Sequence, residues 1–286
     1  MDLSISLIIA TRGRKEPLSN LLTSLLHQID PPFEVIVVDQ NPQGYLNEIL
    51  SPFISSLPLI HLPASPGVSR ARNLGIQKSR GEIVGFPDDD CTYPPDLLRY
   101  IKELFHTKNP LGGVSGKVLF PGGGGLARYP ESGRKIHLYN AFFTLGGSTV
   151  FYRKKVVEEV GGFDEELGPG AETPWGSSED IDLGIRVLKK GYTLYYDPRI
   201  VIYHPSQLPP SFRLAFLRGI RYGRGIGKVL HKHRYPLSWK GYHLLRSAGG
   251  AFVSFITGKI PYTFYHMGAF LGKGEGILNR VFLPWR

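Results

Sequence analysis

A single cysteine, Cys91, stands in a chain of 286 residues. It cannot form an intramolecular disulfide, so a disulfide-stapled fold is excluded, and the usage fits a reducing compartment. No uninterrupted apolar stretch reaches the roughly 18 residues that a membrane-spanning helix needs. The opening MDLSISLIIATRGR has no basic region before its apolar run and no cleavage site, so it reads as carrying no signal peptide. The sequence shows no internal repeat. Acidic residues are almost missing from the last quarter. Residues 213–286 hold 13 Lys/Arg against one acid, Glu275, a net +12, whereas residues 1–212 hold 21 against 23, a net −2. The basic surplus therefore belongs to the tail and implies an anionic partner there. Membrane lipid suits it better than nucleic acid, because no nucleic-acid reader motif is present and the acidic remainder would repel phosphates.

What is present is a core. Hydrophobic residues make up 42% and charged residues 20%, the balance of a folded chain. Residues 4–10 (SISLIIA) read as a strand, and Leu18, Leu21, Leu22, Leu25, Leu26 and Ile29 share one face of a helix that Pro31-Pro32 stops. Residues 33–39 (FEVIVVD), 59–62 and 83–86 are further strands. Residues 67–79 are a helix with Arg70, Arg72 and Asn73 in its first half, and another helix carries Leu97, Leu98, Ile101, Leu104 and Phe105. This alternation predicts an α/β fold on a mostly parallel sheet. Beyond residue 110 come a strand over 112–120, a glycine-rich loop over 121–125 and a polar stretch to Asn140. An apolar run over 141–152, broken at Gly146-Gly147, precedes a helix over 154–160. A loop rich in Gly, Pro and Glu leads into a helix from Ser177, where Ser177 and Asp180 have capping-box spacing. Residues 193–196 and 200–204 read as two short strands, with Asp197-Pro198 turning between them.

Residues 82–93, EIVGFPDDDCTY, organise the rest. A short apolar strand delivers Asp88, Asp89 and Asp90 to a sheet's C-terminal edge, where open α/β sheets bind ligands. Adjacent carboxylates need a compensating cation, and hard oxygen donors suit Mg2+ or Mn2+, which usually also hold substrate phosphates. Asp39 ends the second strand and would lie near Asp88 if their strands flank the first. There it could accept a hydrogen bond from a base or ribose, or simply form the turn before Asn41-Pro42. Thr11 and Arg14 close the first strand at the same edge, and Arg14 could meet a phosphate. Arg70 and Arg72 could do the same or pair with the aspartates. Glu179-Asp180 opens a helix, where acids suit the dipole but a carboxylate could also serve as general base toward an acceptor hydroxyl. His204, at a strand end, could complete a metal site.

These pieces together resemble family 2 of the inverting glycosyltransferases, which have the GT-A fold. The matching segments are SLIIATRGR (6–14), EVIVVDQ (34–40), PGVSRARNLGIQKSRGEIVGFPDDDCTYPPDLL (66–98), GGSTVFYRKKVVEEVGGFDEELG (146–168), SSEDIDLGIRVLKKGY (177–192) and YYDPRIVIYH (195–204), in the family's order. The resemblance implies that Asp39 recognises the nucleotide base and that Asp88, Asp89 and Asp90 bind the divalent metal and the sugar nucleotide, with Asp90 the direct metal ligand and Asp88 on ribose or metal. Thr11, Arg14, Arg70, Arg72 and Asn73 are the further candidates for the nucleotide-sugar site. The resemblance also implies that Asp180, with Glu179, supplies the base, and that His204 is a metal ligand as in some members. Two positions depart from the common pattern: Gln40 follows Asp39 where many members have a second aspartate, and Arg12 stands where an aromatic residue often stacks on the base. The implied reaction is transfer of a sugar from a nucleotide diphosphosugar to an acceptor hydroxyl with inversion.

The expected organisation is a catalytic domain over residues 1–210 and a basic helical extension over 211–286. Arg218, Arg221, Arg224, Lys228 and Lys232 recur along one side of a helix over 211–232, which Gly219, Gly223, Gly225 and Gly227 weaken. Beyond Pro236, aromatics such as Trp239, Tyr242 and Phe252 mix with basic residues, which suits an anionic membrane surface. A helical layer packed on the sheet domain is the plainer reading. The expected setting is cytoplasmic, peripheral on the inner face of the cell membrane, with a lipid-linked or membrane-proximal glycan as acceptor. A sugar-phosphate nucleotidyltransferase would also pair a nucleotide fold with acids, but the Gly-rich, Lys/Arg-containing signature after the first strand is missing. A non-catalytic nucleotide-sugar-binding protein is the remaining alternative.

Overall fold

The computed structural model describes residues 3–108, 110–125, 129–205 and 211–285. The chain forms two compact units, Met1–Phe163 with Asp180–Ser206, and Asp164–Glu179 with Gln207–Arg286. The expected boundary at residue 210 lies outside the described residues.

In the first unit β1 (Ile5–Thr11) leads through α1 (Lys15–Leu26) to β2 (Glu34–Asp39), and α2 (Asn47–Leu50) precedes β3 (Leu59–Pro63). Helix α3 (Val68–Lys78) leads to β4 (Ile83–Gly85), and α4 (Leu97–Thr107) to β5 (Gly113–Leu119). Strand β6 (Arg134–Ile136), α5 (Ala141–Thr144), β7 (Phe151–Arg153), α6 (Lys154–Glu159), α7 (Glu179–Lys189) and β8 (Leu194–Tyr203) complete the series. The sheet order is β3-β2-β1-β4-β7-β5-β8-β6. Only β7 and β6 run against the rest, each pairing antiparallel with its neighbours. Strands β1 and β2 are buried almost throughout, as continuous Val/Ile runs between helical layers should be. Close approach of the layers needs glycine at Gly75, where a Cβ would lie 2.2 Å from the Ile8 side chain.

The chain steps from β1 to β2 to β3 and then returns to the other side of β1 as β4. Strand order reverses between β1 and β4, and at such a switch point the loops leaving the strands' C-terminal ends part to form a crevice. Thr11, Asp39 and the three aspartates after β4 all leave the sheet at that edge.

Four expectations need correction. Helix α1 ends at Leu26, so Ile29 is not on its buried face and is 59% exposed. The helix expected from Ser177 starts at Glu179, because Ser178 takes a left-handed φ of 69°. Asp197-Pro198 is not a turn between two strands but lies inside β8. The register against β5 steps from Ser115↔Tyr196 to Lys117↔Val201, so a bulge absorbs the proline, and Asp197 accepts from the Arg199 amide at 3.0 Å. Strand β6 hides in the polar stretch; three residues, RKI, show no periodicity and owe their form to pairing with β8.

The second unit holds α8 (Phe212–Lys232), α9 (Leu237–Ile256) and α10 (Ile260–Leu278). The glycines expected to weaken α8 instead let it pack. Gly219 and Gly223 lie against the α10 backbone, and Gly268 and Gly272 against that of α8. A Cβ on Gly219 would meet Tyr265 O at 2.1 Å, and one on Gly272 would meet Ile220 O at 2.2 Å. The basic side of α8 is also not uniform. Arg224 is buried in an ion pair with Glu275, the tail's one acid, and donates to Leu283 O at 2.7 Å. In the loop 164–179, the Ser177 hydroxyl donates to Tyr222 O at 3.1 Å.

Candidate active site

Strand β4 ends at Gly85, and Phe86 is fully buried beneath the turn that follows. The Cys91 amide bonds back to Asp88 O at 3.1 Å, closing that turn. Thr92 and Tyr203 then exchange both backbone hydrogen bonds, at 2.8 and 3.0 Å. That bridge ties the acidic turn to the end of β8 and brings His204 Nε2 to 2.9 Å from Asp90 Oδ1. No sequence spacing could announce this pair, since 114 positions separate its members.

Each aspartate has its own set of partners, with Arg14 shared between two. Thr11 Oγ1 donates to Asp89 Oδ2 at 2.7 Å, and Arg14 donates to Asp89 Oδ1 at 2.8 Å while also pairing with Asp90. Arg72 Nη2 donates to Asp88 Oδ1 at 3.1 Å. The Arg72 guanidinium is buried over the ring of Phe163, 5.3 Å from its centroid, and 6.0 Å from that of Phe86. Burial pushes the Asp89 carboxyl above its ordinary range, and Thr11 and Arg14 only partly offset it. For Asp90 burial acts in the same direction, but the hydrogen bond and charge of His204 outweigh it and the carboxyl falls below its ordinary range. His204 shows the mirror effect: burial lowers its affinity for a proton, and Asp90 more than restores it.

Asp39 sits 4% exposed at the end of β2. Its Oδ1 accepts from the Asn41 amide at 2.9 Å and its Oδ2 faces His61 Nε2 at 2.9 Å. Asp39 thus shapes the turn before Asn41-Pro42. His61 was not singled out by the sequence; β3 alternation alone puts it in register with Val37, two residues short of Asp39. Gln40, the departure from the family pattern, accepts the Gly67 amide at 2.7 Å, fixing the start of α3.

Asn73 has a structural role. Its side chain both donates to Phe163 O at 3.0 Å and accepts from the Phe163 amide at 2.7 Å. It therefore holds the ring on which Arg72 rests. Arg70 is exposed on α3, with its guanidinium 3.4 Å from Pro66 O.

Asp180 lies in the first turn of α7, where its Oδ1 accepts from the Ile181 amide at 2.8 Å. The helix is anchored by Arg186, which pairs with the fully buried Asp182 at 2.8 Å and donates to Val160 O and Gly162 O at 2.6 Å each. Glu179 is buried and opens the helix. Gly147 marks where the two groups of acids meet. A Cβ there would lie 3.5 Å from Asp180 Oδ2 and 3.7 Å from Arg72 Nη2, the same nitrogen that holds Asp88. The strand-end acid Asp88, through Arg72, and the helix-start acid Asp180 thus come together around a residue without a side chain.

The profile of the family described as Glycosyl transferase family 2 matches residues 6–161. The chain belongs to glycosyl transferase family 2. This glycosyltransferase is 26% identical over 230 residues to glycosyltransferase AglE of Haloferax volcanii, a match spanning 77% of this chain and 72% of the relative. It is 29% identical over 174 residues to the uncharacterized glycosyltransferase YwdF of Bacillus subtilis, over 58% of this chain and 63% of that one. Among solved structures, mannosyltransferase PcManGT from Pyrobaculum calidifontis, in complex with GDP-Man and Mn2+, has a TM-score of 0.66 at 18% identity, covering 98% of this chain and 89% of that chain. At that identity the likeness is one of fold, and the fold is GT-A, as the sequence implied.

Proposed function

We propose that this glycosyltransferase moves a sugar from a nucleotide diphosphosugar to an acceptor hydroxyl by a single, metal-dependent displacement that inverts the anomeric centre. The observation that carries this reading is the approach of Arg72, with Asp88, and of Asp180 to the same residue, Gly147.

Among the described residues no three His, Cys, Asp or Glu side chains converge as a metal cage. A divalent ion of the Mg2+ kind is usually held by one or two carboxylates plus substrate phosphates. Asp90 with His204 beside it, and Asp88 with its carboxylate 39% exposed, form such a donor set. PcManGT, of the same fold, is in complex with GDP-Man and Mn2+, which supports a divalent ion together with a nucleotide diphosphosugar. A divalent ion held there would offset the charge of the departing diphosphate.

The chain's own residues do the rest. Asp39 and His61 face the base or ribose at the end of β2. Arg14 and Arg72 supply guanidinium donors for phosphate oxygens, and Asp89 is held in place by the Thr11 hydroxyl and the Arg14 guanidinium. Asp180 takes the proton from the acceptor hydroxyl as that oxygen attacks the anomeric carbon from the face opposite the leaving group. Glu179 supports the helix start. The basic tail supports a lipid-linked or membrane-proximal acceptor, with the enzyme peripheral on the inner face of the cell membrane and the donor arriving from the cytosol.

Calorimetry with nucleoside diphosphates tests the donor site. Affinity should rise with Mn2+ and fall with EDTA, and Asp90→Ala should lose the metal-dependent part. Equal affinity in Mn2+ and EDTA would overturn the assignment.

A further inference from the structure

Helices α9 and α10 are turned inside out. The buried residues of α9 are His243, Ser247 and Ser254. Those of α10 are chiefly Thr263, glycines, Lys273 and Glu275. Between the two helices Lys273 Nζ donates to His243 O at 3.1 Å and to Ser247 Oγ at 2.7 Å. Several of the large apolar side chains point outward instead. On α9, Leu245 is 73% exposed, Phe252 66% and Ile256 63%. These three recur at helical spacing, on the side of α9 away from His243, Ser247 and Ser254. Helix α10 carries its own exposed series in Met267, Leu271 and Leu278.

A helical hairpin shaped by water alone would bury the leucines and expose the lysine. The packing mode is also not that of a water-driven core. Gly219 and Gly223 of α8 lie against the α10 backbone, and Gly268 and Gly272 against that of α8, each set four residues apart. This small-residue seam is the mode used where solvent gives no hydrophobic drive between helices.

Charge says what covers the outer face. The one acid in residues 213–286, Glu275, is buried against Arg224, so among the described residues the surface of this stretch presents basic groups without acidic ones. An apolar surface rimmed by cations alone complements an anionic lipid leaflet. Among the described residues no helix is long and apolar enough to cross a membrane. We infer that the α9–α10 hairpin is embedded in one leaflet of an anionic bilayer, its apolar stripes among the acyl chains and its basic residues at the headgroups. This deepens the membrane-proximal reading above, which requires only electrostatic contact at the surface.

The test uses the full chain with Ile256→Cys carrying an environment-sensitive fluorophore; the native Cys91 is fully buried and should not label. With phosphatidylcholine–phosphatidylglycerol vesicles, the probe should shift to the blue and be quenched by lipids bearing a nitroxide within the acyl chain, and high salt should leave the quenching in place. The same probe at Glu16→Cys, on exposed α1, should stay aqueous. A probe at residue 256 that stays aqueous while the chain co-sediments with the vesicles would overturn insertion and leave the surface-contact reading standing. A chain that binds no vesicles would overturn both. A blue shift without lipid, together with a doubled mass in light scattering, would assign the stripe to a second copy and overturn the inference.

Discussion

Replacing Gly272 with alanine should destabilise the second unit, although alanine is the better helix former. Mid-helix Gly→Ala gains about 1 kcal/mol from propensity. At Gly272, however, the new methyl would lie 2.2 Å from Ile220 O and 2.9 Å from the Arg224 amide nitrogen, all backbone, which no rotamer change can move. Relief requires α8 and α10 to separate, and forcing an extra methyl into a packed seam costs about 1–3 kcal/mol. Gly274 provides the control on the same helix, since a Cβ there meets nothing within 4 Å. Propensity is common to both substitutions, so the difference between Gly272→Ala and Gly274→Ala isolates the packing cost at about 1–3 kcal/mol. All three tryptophans, Trp175, Trp239 and Trp285, belong to the second unit, so tryptophan fluorescence during thermal unfolding reports on it directly. A unit of this size shifts its midpoint by about 4–8 °C per kcal/mol. Gly274→Ala should therefore melt at least about 4 °C above Gly272→Ala. Equal midpoints would refute the close seam.

Asp180→Asn keeps an oxygen for the Ile181 amide but cannot take a proton; it should fold and bind donor normally while turnover falls by about 10²–10⁴-fold, and near-normal turnover would move the base elsewhere. Burial, with Arg246 nearby, pushes the Lys273 amine down to about 8 from 10.5. Between those values the unfolded chain holds more protons, so stability should climb as pH rises through that window and stay level below it. Lys273→Met should abolish the climb and stabilise the unit at neutral pH by up to about 3 kcal/mol, less about 1 kcal/mol for each of its two lost hydrogen bonds. Denaturant titrations from pH 7.5 to 10 check this, and parallel slopes for the two proteins would refute it.

Much of the site was legible because its residues sit at fixed offsets from strands. An apolar run followed by three aspartates states both a strand and what the strand delivers, and the same holds for Thr11 and Asp39. The partners were not legible. His204 reaches Asp90 only because Thr92 and Tyr203 bridge, and Asn73 could be seen on its helix but not in its bond to Phe163.

The sequence by itself determined the α/β alternation, the family and the location of the acids, since local periodicity and strand-end position are written in neighbouring residues. Only the tertiary structure decided three things. Glycine in α8 reads as helix weakness until α10 arrives within backbone contact. Asp197-Pro198 reads as a turn until the β5 ladder carries it through as a bulge. The aromatics beyond Pro236 read equally as a membrane-facing surface or a packed layer until His243, Ser247 and Lys273 are found inside. In each case the neighbour that settles the conformation lies far along the chain, and its contact outweighs the local preference of about 1 kcal/mol that the sequence displays.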